Sequence, residues 1–538
     1  MSQDHGTRTS QPSLPPQAPP SSGRSGRTAG TLAAASLAVM IAQVANALPG
    51  ALNGEYQLTF NTFGSQLTWI TAAFMIPVVV FELTFGVLGD KFGHRKLVVG
   101  GAALVVIGSL VCTISPTVQA MWVGSALNGL GAGAIYPASL ALVASVARTM
   151  QERVRGIAIW AGFLSAGSAI SPLLGGVFAG FGWWRGAYAV VAVFSVAALV
   201  LTLFRAQEAK VAEGRRLDLW GQITLALGLI LVLFGLVQGP EDGWGSTHVV
   251  ASLAAGAALL AVFVVIELRV QSPLLDLRVF RNRQFTVASI VAVVGMFAFL
   301  GACFSTSMWL GPVQHQNPLY LGLLFLLLQG PAFVLIPVIS RLQARISSRW
   351  LLTFGFLAMG AGALTASTFD VANRDVAVFI LPSLLVGLGF ALTLSPMTAI
   401  AVNSVPRQLT GMASATTNLL RDLGFALGPV LVGAIALSTA GSHLVPALQS
   451  SGLPADQLGP ALGIAEAGGP IALNSLPPGV PGAEASQFAL EALGSGFTEA
   501  FLVVAVSALA AALLSWFGLG GTGQADPEHE PEAVEAGR

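Results

Sequence analysis

Charged residues are scarce in this chain. Lysine, arginine, aspartate and glutamate together make up 9% of its 538 residues, whereas 54% of the residues are hydrophobic. An ordinary soluble domain carries roughly 25% charged residues, so a chain this poor in charge is not a typical soluble protein.

The chain also lacks the sequence patterns of most catalytic and metal sites. Its two cysteines, Cys112 and Cys303, each lie within an apolar run, which excludes a disulfide framework and a cysteine zinc site. It contains no phosphate-binding loop of the Walker type, no nucleophile elbow and no cluster of metal ligands. The sequence therefore predicts no enzyme, no ATP-driven pump, and no metal or other cofactor.

What the chain has instead is long hydrophobic runs. Fourteen of them lie between Ala29 and Phe517, and each is long enough to cross a bilayer, since about 20 apolar residues in a helix span the hydrocarbon layer. Lipid offers the backbone no hydrogen-bond partners, so each run must form a helix. The pattern predicts an all-α integral membrane protein with 14 transmembrane helices.

Basic residues are distributed unevenly between the loops. One set of alternating loops carries nearly all of them, while the other set carries only Arg185 and Arg374. By the positive-inside rule, the basic loops and both termini lie in the cytoplasm. We expect a multi-pass protein of the cell membrane (plasma or inner membrane). Basic residues confined to membrane-proximal loops do not favour nucleic acid as a partner.

The hydrophobic runs fall into two sets of six with an extra pair between them. The sequence predicts an N-terminal six-helix bundle at 29–205, a linker with two extra transmembrane helices at 206–284, and a C-terminal six-helix bundle at 285–518. Repeated halves of this kind build the central site of many secondary transporters.

Three further segments lie outside the predicted spans. The tails at 1–28 and 519–538 are poor in apolar residues, the second being acidic, and we predict that both are disordered in the cytoplasm. The loop 441–487 is rich in proline, glycine and alanine. We predict that it forms an irregular periplasmic or extracellular cap.

The segment from Gly86 to Lys96 reads GVLGDKFGHRK and lies between the second and third predicted spans. Its glycines suit close helix contact and a tight turn, and Asp90 can cap a helix or pair with basic groups. The segment closely resembles the signature loop of the major facilitator superfamily. The resemblance makes five of its residues candidates for a gating loop: Gly86, Asp90, Gly93, Arg95 and Lys96.

A second segment, GSAISPLLGG, lies in the fifth predicted span. Small residues let helices approach closely, and a proline bends a helix. The segment is similar to the glycine-rich motif of the superfamily's antiporters, with Ser171 where a glycine is usual. The candidate residues of this antiporter-type motif are Gly167, Pro172, Gly175 and Gly176. The alternative is a packing motif without a functional role, since small-residue patterns are common in membrane helices.

A third segment extends the resemblance. The sequence GMAS from Gly411 to Ser414 leads to Asn418, Arg421 and Asp422. With its fourteen spans, the chain resembles the fourteen-helix drug–proton antiporter branch of the superfamily, the multidrug efflux type. The resemblance implies a monomer of two six-helix bundles that rock about a midplane cavity. It also implies export of hydrophobic or cationic compounds in exchange for protons.

The chain departs from this branch at two positions. The first span of the branch usually carries an aspartate where this chain has Met40, and the fourth span usually carries an arginine where this chain has Ser125. Both of the usual residues are ones that the family is thought to use in proton coupling. The departure leaves the coupling mechanism open.

Few ionisable residues lie inside the predicted spans, and each is a functional candidate because a charge there costs at least ~2.5–3.5 kcal/mol. Glu82 lies deeper in the second span than Asp90, and the resemblance places that span opposite the one with Arg421 and Asp422. We predict that Glu82 and Arg421 pair across the bundles as a latch, and that protonation of Glu82 contributes to coupling. The alternative is that Glu82 meets a local hydroxyl or water, while Arg421 pairs with Asp422 or a backbone carbonyl.

Polar and aromatic residues within the spans are candidates for the lining of a cavity, because amides that face lipid are costly. Aromatic residues also anchor helices at the membrane interface. The candidates are Gln43, Asn46, Asn128, Tyr136, Trp160 and Asn418. Such a lining suits a small hydrophobic or amphipathic substrate.

Two functions fit the sequence. The first is a secondary active transporter that exports hydrophobic or amphipathic drug-like compounds by alternating access, in exchange for protons. The second is a transporter-fold protein without proton coupling, which could be a facilitator, a lipid mover or a sensor. The overall resemblance favours the first function, and the residues at positions 40 and 125 favour the second.

Overall fold

The computed structural model describes residues 22–519, apart from 63, 148, 209–217, 271–272, 276, 344 and 406–409. The described residues are almost entirely helical, and no β-strand occurs among them. The predicted all-α fold is confirmed.

The helices follow the predicted order of two halves with a pair between them. The first half contains α1 (Ser22–Ala47), α2 (Pro49–Phe60), α3 (Gly64–Phe92), α4 (His94–Ile114), α5 (Val118–Val146), α6 (Met150–Gly180) and α7 (Arg185–Arg205). The pair is α8 (Leu219–Asp242) and α9 (Thr247–Glu267). The second half contains α10 (Arg283–Met308), α11 (Pro318–Val334), α12 (Ile336–Gln343), α13 (Ser348–Ala366), α14 (Ile380–Asn403), α15 (Thr410–Gln449), α16 (Ala455–Asn474) and α17 (Ser486–Gly518).

The first helix begins earlier than the sequence predicted. α1 starts at Ser22, inside the segment 1–28 that was predicted to be disordered. Once a long apolar helix is nucleated, adding a turn of backbone costs little. The remainder of the two predicted tails, residues 1–21 and 520–538, lies outside the described residues.

The described part of the chain contains up to fourteen candidate spans. Thirteen helices are long and apolar enough by themselves, and the bent pair α11–α12 supplies the fourteenth across a 47° break. Pro331 and Pro337 flank this break, and a proline removes a helical hydrogen bond and clashes with the preceding turn. An even number of spans places both described chain ends on one face. We call this the terminal face, and the opposite one the loop face.

The inserted helix α8 packs against both halves of the protein. On one side, the Gln222 side chain donates a 2.7 Å hydrogen bond to the carbonyl of Val80 in α3. On the other side, the Trp244 indole, just after α8, donates to the Ser438 hydroxyl in α15 at 3.4 Å. α8 therefore lies over one of the two seams where the halves meet, and α9 packs against α8.

Most of the segment 441–487 is helical, with a kink at Gly469, where the sequence predicted an irregular cap. α15 continues to Gln449, and α16 adds twenty residues. Leu444, Leu448 and Leu473 are buried in a small apolar cluster with the start of α17. The prediction overweighted proline and glycine, because alanine and leucine supply an apolar face that stabilises the helices by packing.

Candidate functional site

A cavity lies between the two halves, about midway along the spans. It contains about 700 Å³ of space not filled by atoms, including its opening. Helices α1, α2, α3 and α6 line it from the first half, and α10, α11, α14 and α15 line it from the second. A site shared by both halves changes shape whenever the halves move against each other.

The polar part of the cavity consists of uncharged side chains. Gln43, Asn46 and Asn53 come from the first half, and Gln329 and Ser307 come from the second. Asn53 donates a 2.9 Å hydrogen bond to the Ser307 hydroxyl, which itself donates to the carbonyl of Gly50 at 2.6 Å. These two bonds join the halves at the loop-side end of the cavity.

The apolar part of the cavity is dominated by phenylalanine. Phe299 in α10 and Phe390 in α14 stack with ring centroids 3.7 Å apart and planes 10° apart. Phe425 in α15 lies edge-on to Phe299, with centroids 6.3 Å apart. Flat aromatic faces of this kind offer large contact areas to an apolar ligand.

No lysine, arginine, aspartate or glutamate is among the described residues that line the cavity. A charged ligand would therefore lose its water without gaining a direct counter-charge. The lining suits a neutral molecule with an aromatic or aliphatic body and a few hydrogen-bonding groups.

The antiporter-type motif lies where the halves touch near the loop face. A Cβ on Gly176 would lie 2.5 Å from the carbonyl oxygen of Pro318, and one on Gly322 would lie 2.8 Å from that of Pro172. Backbone therefore meets backbone between α6 and α11. Small residues permit this approach.

Other residues of the same motif contact α1 and the residue that follows it, within the first half. A Cβ on Gly167 would lie 2.5 Å from the carbonyl oxygen of Met40, and one on Gly175 would lie 3.1 Å from Leu48. The Ser171 hydroxyl donates to the carbonyl of Val44. One helix, α6, thus packs tightly on α1 and on the opposite half with two different sets of small residues.

The candidate gating loop is attached to the end of α7. Gly93 has φ = 105°, a left-handed conformation that favours glycine. The backbone N–H of Arg95 donates a 3.0 Å hydrogen bond to Glu208, and its guanidinium donates to the carbonyls of Thr202 and Leu203. Asp90 lies 3.2 Å from His94, one turn further along.

The remaining loop residues make fewer contacts. Gly86 has open space where a Cβ would be, and Lys96 is exposed. The loop is thus anchored within the first half, and Arg95 contributes most of the described anchoring bonds.

The predicted latch residues lie together, with a different pairing from the one predicted. The guanidinium of Arg421 donates to Asp422 at 3.2 Å. Glu82 lies beside Asp422, close enough for a hydrogen bond between the two carboxyl groups, and interacts electrostatically with Arg421. The predicted Glu82–Arg421 ion pair is therefore corrected, and the alternative pairing of Arg421 with Asp422 is the one observed. Adjacent residues on one helix form the pair, and Glu82 approaches from the other half.

Four of the six predicted cavity residues lie outside the lining. Asn128 accepts a 3.1 Å hydrogen bond from Ser109 and is buried between α4 and α5, so its predicted cavity position is corrected. Trp160 donates to Ser139 at 2.9 Å in the α5–α6 contact.

Tyr136 lies directly behind the lining, where it donates a 2.9 Å hydrogen bond to Gln43. Asn418 is half-buried and is not part of the lining. Gln43 and Asn46 line the cavity.

Sequence reasoning missed the cavity residues Asn53, Phe299 and Phe390. Asn53 lies in α2, which continues α1 with only Leu48 between them. Treating α2 as part of the first span would have made Asn53 a candidate by the same rule as Asn46. No sequence signal separates Phe299 and Phe390 from the other phenylalanines, because only helix rotation decides which rings face inward.

Two helical halves around a central cavity, with a glycine-containing loop after the second span, match the resemblance noted in the sequence. A family model, Major Facilitator Superfamily, matches residues 32–429. The chain belongs to the major facilitator superfamily.

Its relatives within the superfamily include resistance and export proteins. The chain is 28% identical over 395 residues to the multidrug resistance protein Stp of Mycobacterium tuberculosis, covering 73% of each chain. It is also 28% identical over 505 residues to the tetracenomycin C resistance and export protein of Streptomyces glaucescens, covering 92% of each.

The fold resembles that of solved transporters. A POT family transporter in complex with a thioalcohol-conjugated peptide superposes with a TM-score of 0.61 at 14% identity, covering 90% of this chain and 94% of that one. Membership of the major facilitator superfamily, together with the candidate spans, makes the chain a multi-pass membrane transporter rather than an enzyme.

Proposed function

We propose that this transporter exports small, neutral, amphipathic compounds by alternating access, in exchange for protons. The central cavity carries the proposal. Its amides can bind carbonyl or hydroxyl groups, its phenylalanines can contact an aromatic or aliphatic body, and its described lining holds no charge. The relatives include a multidrug resistance protein and a tetracenomycin C resistance and export protein, which supports export of small compounds.

Close contacts near the loop face support loading from the terminal face. There, Gly54 approaches Gly311 and Gly64 approaches Leu437 across the two halves. Nearer the terminal face, the Arg421 side chain keeps 24% of its surface exposed. With the terminal face in the cytoplasm, as the positive-inside rule predicts, a compound bound from that side would be released on the opposite side.

Transport in sealed proteoliposomes tests the substrate class and the driving force together. We expect a neutral aromatic dye to be moved faster than a cationic dye of similar size, and an imposed pH gradient to accelerate its transport. Preferential transport of the cationic dye would contradict the proposal that the transporter selects neutral compounds. Transport of the neutral dye without any response to the pH gradient would favour a facilitator, the function that Met40 and Ser125 suggest.

Labelling of single cysteines tests the orientation. Both native cysteines are buried, so a membrane-impermeant maleimide should report on an introduced cysteine. In intact cells we expect Asp242→Cys, at the loop face, to be labelled, and Lys96→Cys, at the terminal face, to be protected. The reverse pattern would place the termini outside and overturn the export direction.

A further inference from the structure

Glu82 has a buried carboxylate oxygen without a donor. The residue is 8% exposed, and no described N–H or hydroxyl group donates to its Oε2 atom. It lies ten residues before the end of α3 at Phe92, or about 15 Å along the helix. A carboxylate left in this state within a membrane span is costly, so its partner must be identified.

The residue that interacts most strongly with Glu82 is a second acid, which comes from the opposite half. Asp422 in α15 lies beside Glu82 within hydrogen-bonding reach, and its own side chain is 10% exposed. Two ionised carboxylates this close repel each other, whereas one shared proton turns the repulsion into a hydrogen bond. The unpartnered oxygen of Glu82 is therefore explained if a proton lies between the two acids.

One bound proton would make the net charge of this cluster zero. The charged and titratable groups that interact with Glu82 are Asp422 and Arg421 from α15, and Tyr136 from α5. Two carboxylates and one guanidinium carry a net charge of −1, and one added proton makes the cluster neutral. Neutrality is the favourable state in a membrane interior, because charged groups there are poorly solvated.

We propose that Glu82 and Asp422 form a one-proton binding site between the two halves, and that this site couples transport to the proton gradient. The inference rests on the proposed function and assigns the coupling to named atoms. It places the proton on α3 and α15, away from position 40 in α1, where the branch usually has its aspartate.

Polar side chains connect this site with the substrate cavity. Tyr136 interacts electrostatically with Glu82 and Asp422, and its hydroxyl donates a 2.9 Å hydrogen bond to Gln43 in the cavity wall. A bound compound that takes over the amide of Gln43 changes the hydrogen bond of Tyr136, next to the acids. Substrate and proton can therefore influence each other through one intervening side chain.

Separation of the halves would release the proton. Asp422 stays beside Arg421, because both belong to α15, and so keeps its counter-charge when α3 moves away. Glu82 then loses the carboxylate that shared its proton and meets water from the terminal face. The O–H bond breaks, the proton passes to water, and Glu82 is left ionised.

Carboxyl variants in proteoliposomes test the site. We expect Glu82→Gln and Asp422→Asn to lose acceleration by a pH gradient by about tenfold or more, while retaining exchange of substrate across the membrane without a gradient. Glu499→Gln is the matched control, because Glu499 accepts a hydrogen bond from Thr439 near the loop face. If Glu82→Gln and Asp422→Asn both respond to the pH gradient as strongly as Glu499→Gln, the proposal is overturned.

Infrared difference spectroscopy of the purified protein supplies a readout that does not depend on transport, and its decisive measurement uses the wild-type protein alone. On titration, the wild-type protein should show the carbonyl stretch of a protonated buried carboxyl group, and either variant should lack this band. If wild-type protein shows no such band, the shared-proton site is wrong even if export is observed. If the band is present but no compound is transported, the proposed function fails while the proton site stands.

Discussion

Tyr136 in α5 donates a hydrogen bond of 2.9 Å to the side-chain oxygen of Gln43 in α1. Gln43 faces the cavity, whereas Tyr136 interacts electrostatically with Glu82 and Asp422. One hydroxyl therefore stands between the candidate substrate site and the candidate proton site. We therefore expect substrate binding and proton binding to influence each other through Tyr136.

Substitution of Tyr136 by Phe removes only this hydroxyl. Loss of one hydrogen bond costs about 1 kcal/mol, or roughly fivefold in affinity for a substrate that uses the Gln43 amide. We expect weaker substrate binding together with a smaller response to the pH gradient, measured by dye binding and by transport in proteoliposomes. Tyr320→Phe, at an exposed tyrosine of α11, should change neither quantity. Unchanged coupling in Tyr136→Phe would show that the hydroxyl does not connect the sites.

A methyl group on Gly176 should disturb the contact between the halves. The added Cβ would lie 2.5 Å from the carbonyl oxygen of Pro318, and overpacking of this kind typically costs about 1–3 kcal/mol. We expect Gly176→Ala to lower both the thermal stability in detergent and the transport rate. Gly180→Ala is the matched control in the same helix, because nothing lies within 4 Å of its Cβ position. Equal stability of the two variants would mean that α6 and α11 adjust freely.

Loss of the stacked ring of Phe299 should reduce the preference for aromatic substrates. Phe299→Leu keeps most of the side-chain volume but removes an aromatic contact worth about 0.5–1.5 kcal/mol. We expect a severalfold weaker apparent affinity for an aromatic dye and little change for an aliphatic substrate. Phe194→Leu, at an exposed position in α7, serves as the control. An equal loss for both substrates would indicate a packing role for Phe299 instead.

His315, in the loop after α10, should make the folded protein less stable at low pH. Burial lowers the pKa of the His315 imidazole below its usual value, and the nearby Arg374 adds to this effect, although a hydrogen bond with the Asn474 backbone opposes it. The folded protein therefore binds fewer protons at this site than the unfolded chain. Its contribution to stability is present above the unfolded pKa of about 6.5 and is lost as the pH falls through the lower folded value.

Thermal unfolding in detergent at about pH 7.5 and pH 5 checks this expectation. The loss of stability at the lower pH should be smaller in His315→Asn than in the wild type. Asparagine suits the left-handed backbone at this position, where φ is 52°. In the control variant His443→Gln, the loss of stability between about pH 7.5 and about pH 5 should equal that of the wild type, because His443 is exposed. An identical pH dependence in His315→Asn and wild type would exclude His315 as its source.

Much of the candidate site could be predicted from the sequence, with particular exceptions. Glu82, Arg421 and Asp422 stood out because charged residues are rare in the spans, and the structure places them together. The favoured Glu82–Arg421 pair was wrong and the alternative Arg421–Asp422 pair was right, since a stripe on one helix does not fix how far the opposite helix is rotated. Asn128 was misplaced for the same reason, because an amide can be satisfied between two neighbouring helices as well as in a cavity.

The sequence by itself determined the helical class, the number of spans and the superfamily. These properties follow from local hydropathy and from short motifs, because each span must satisfy its own backbone within lipid. The tertiary structure alone decided that two carboxyl groups meet across the halves and that phenylalanines and amides, without charges, line the cavity. Those relationships depend on the rotation and crossing of helices distant in the sequence, which side-chain packing between them sets.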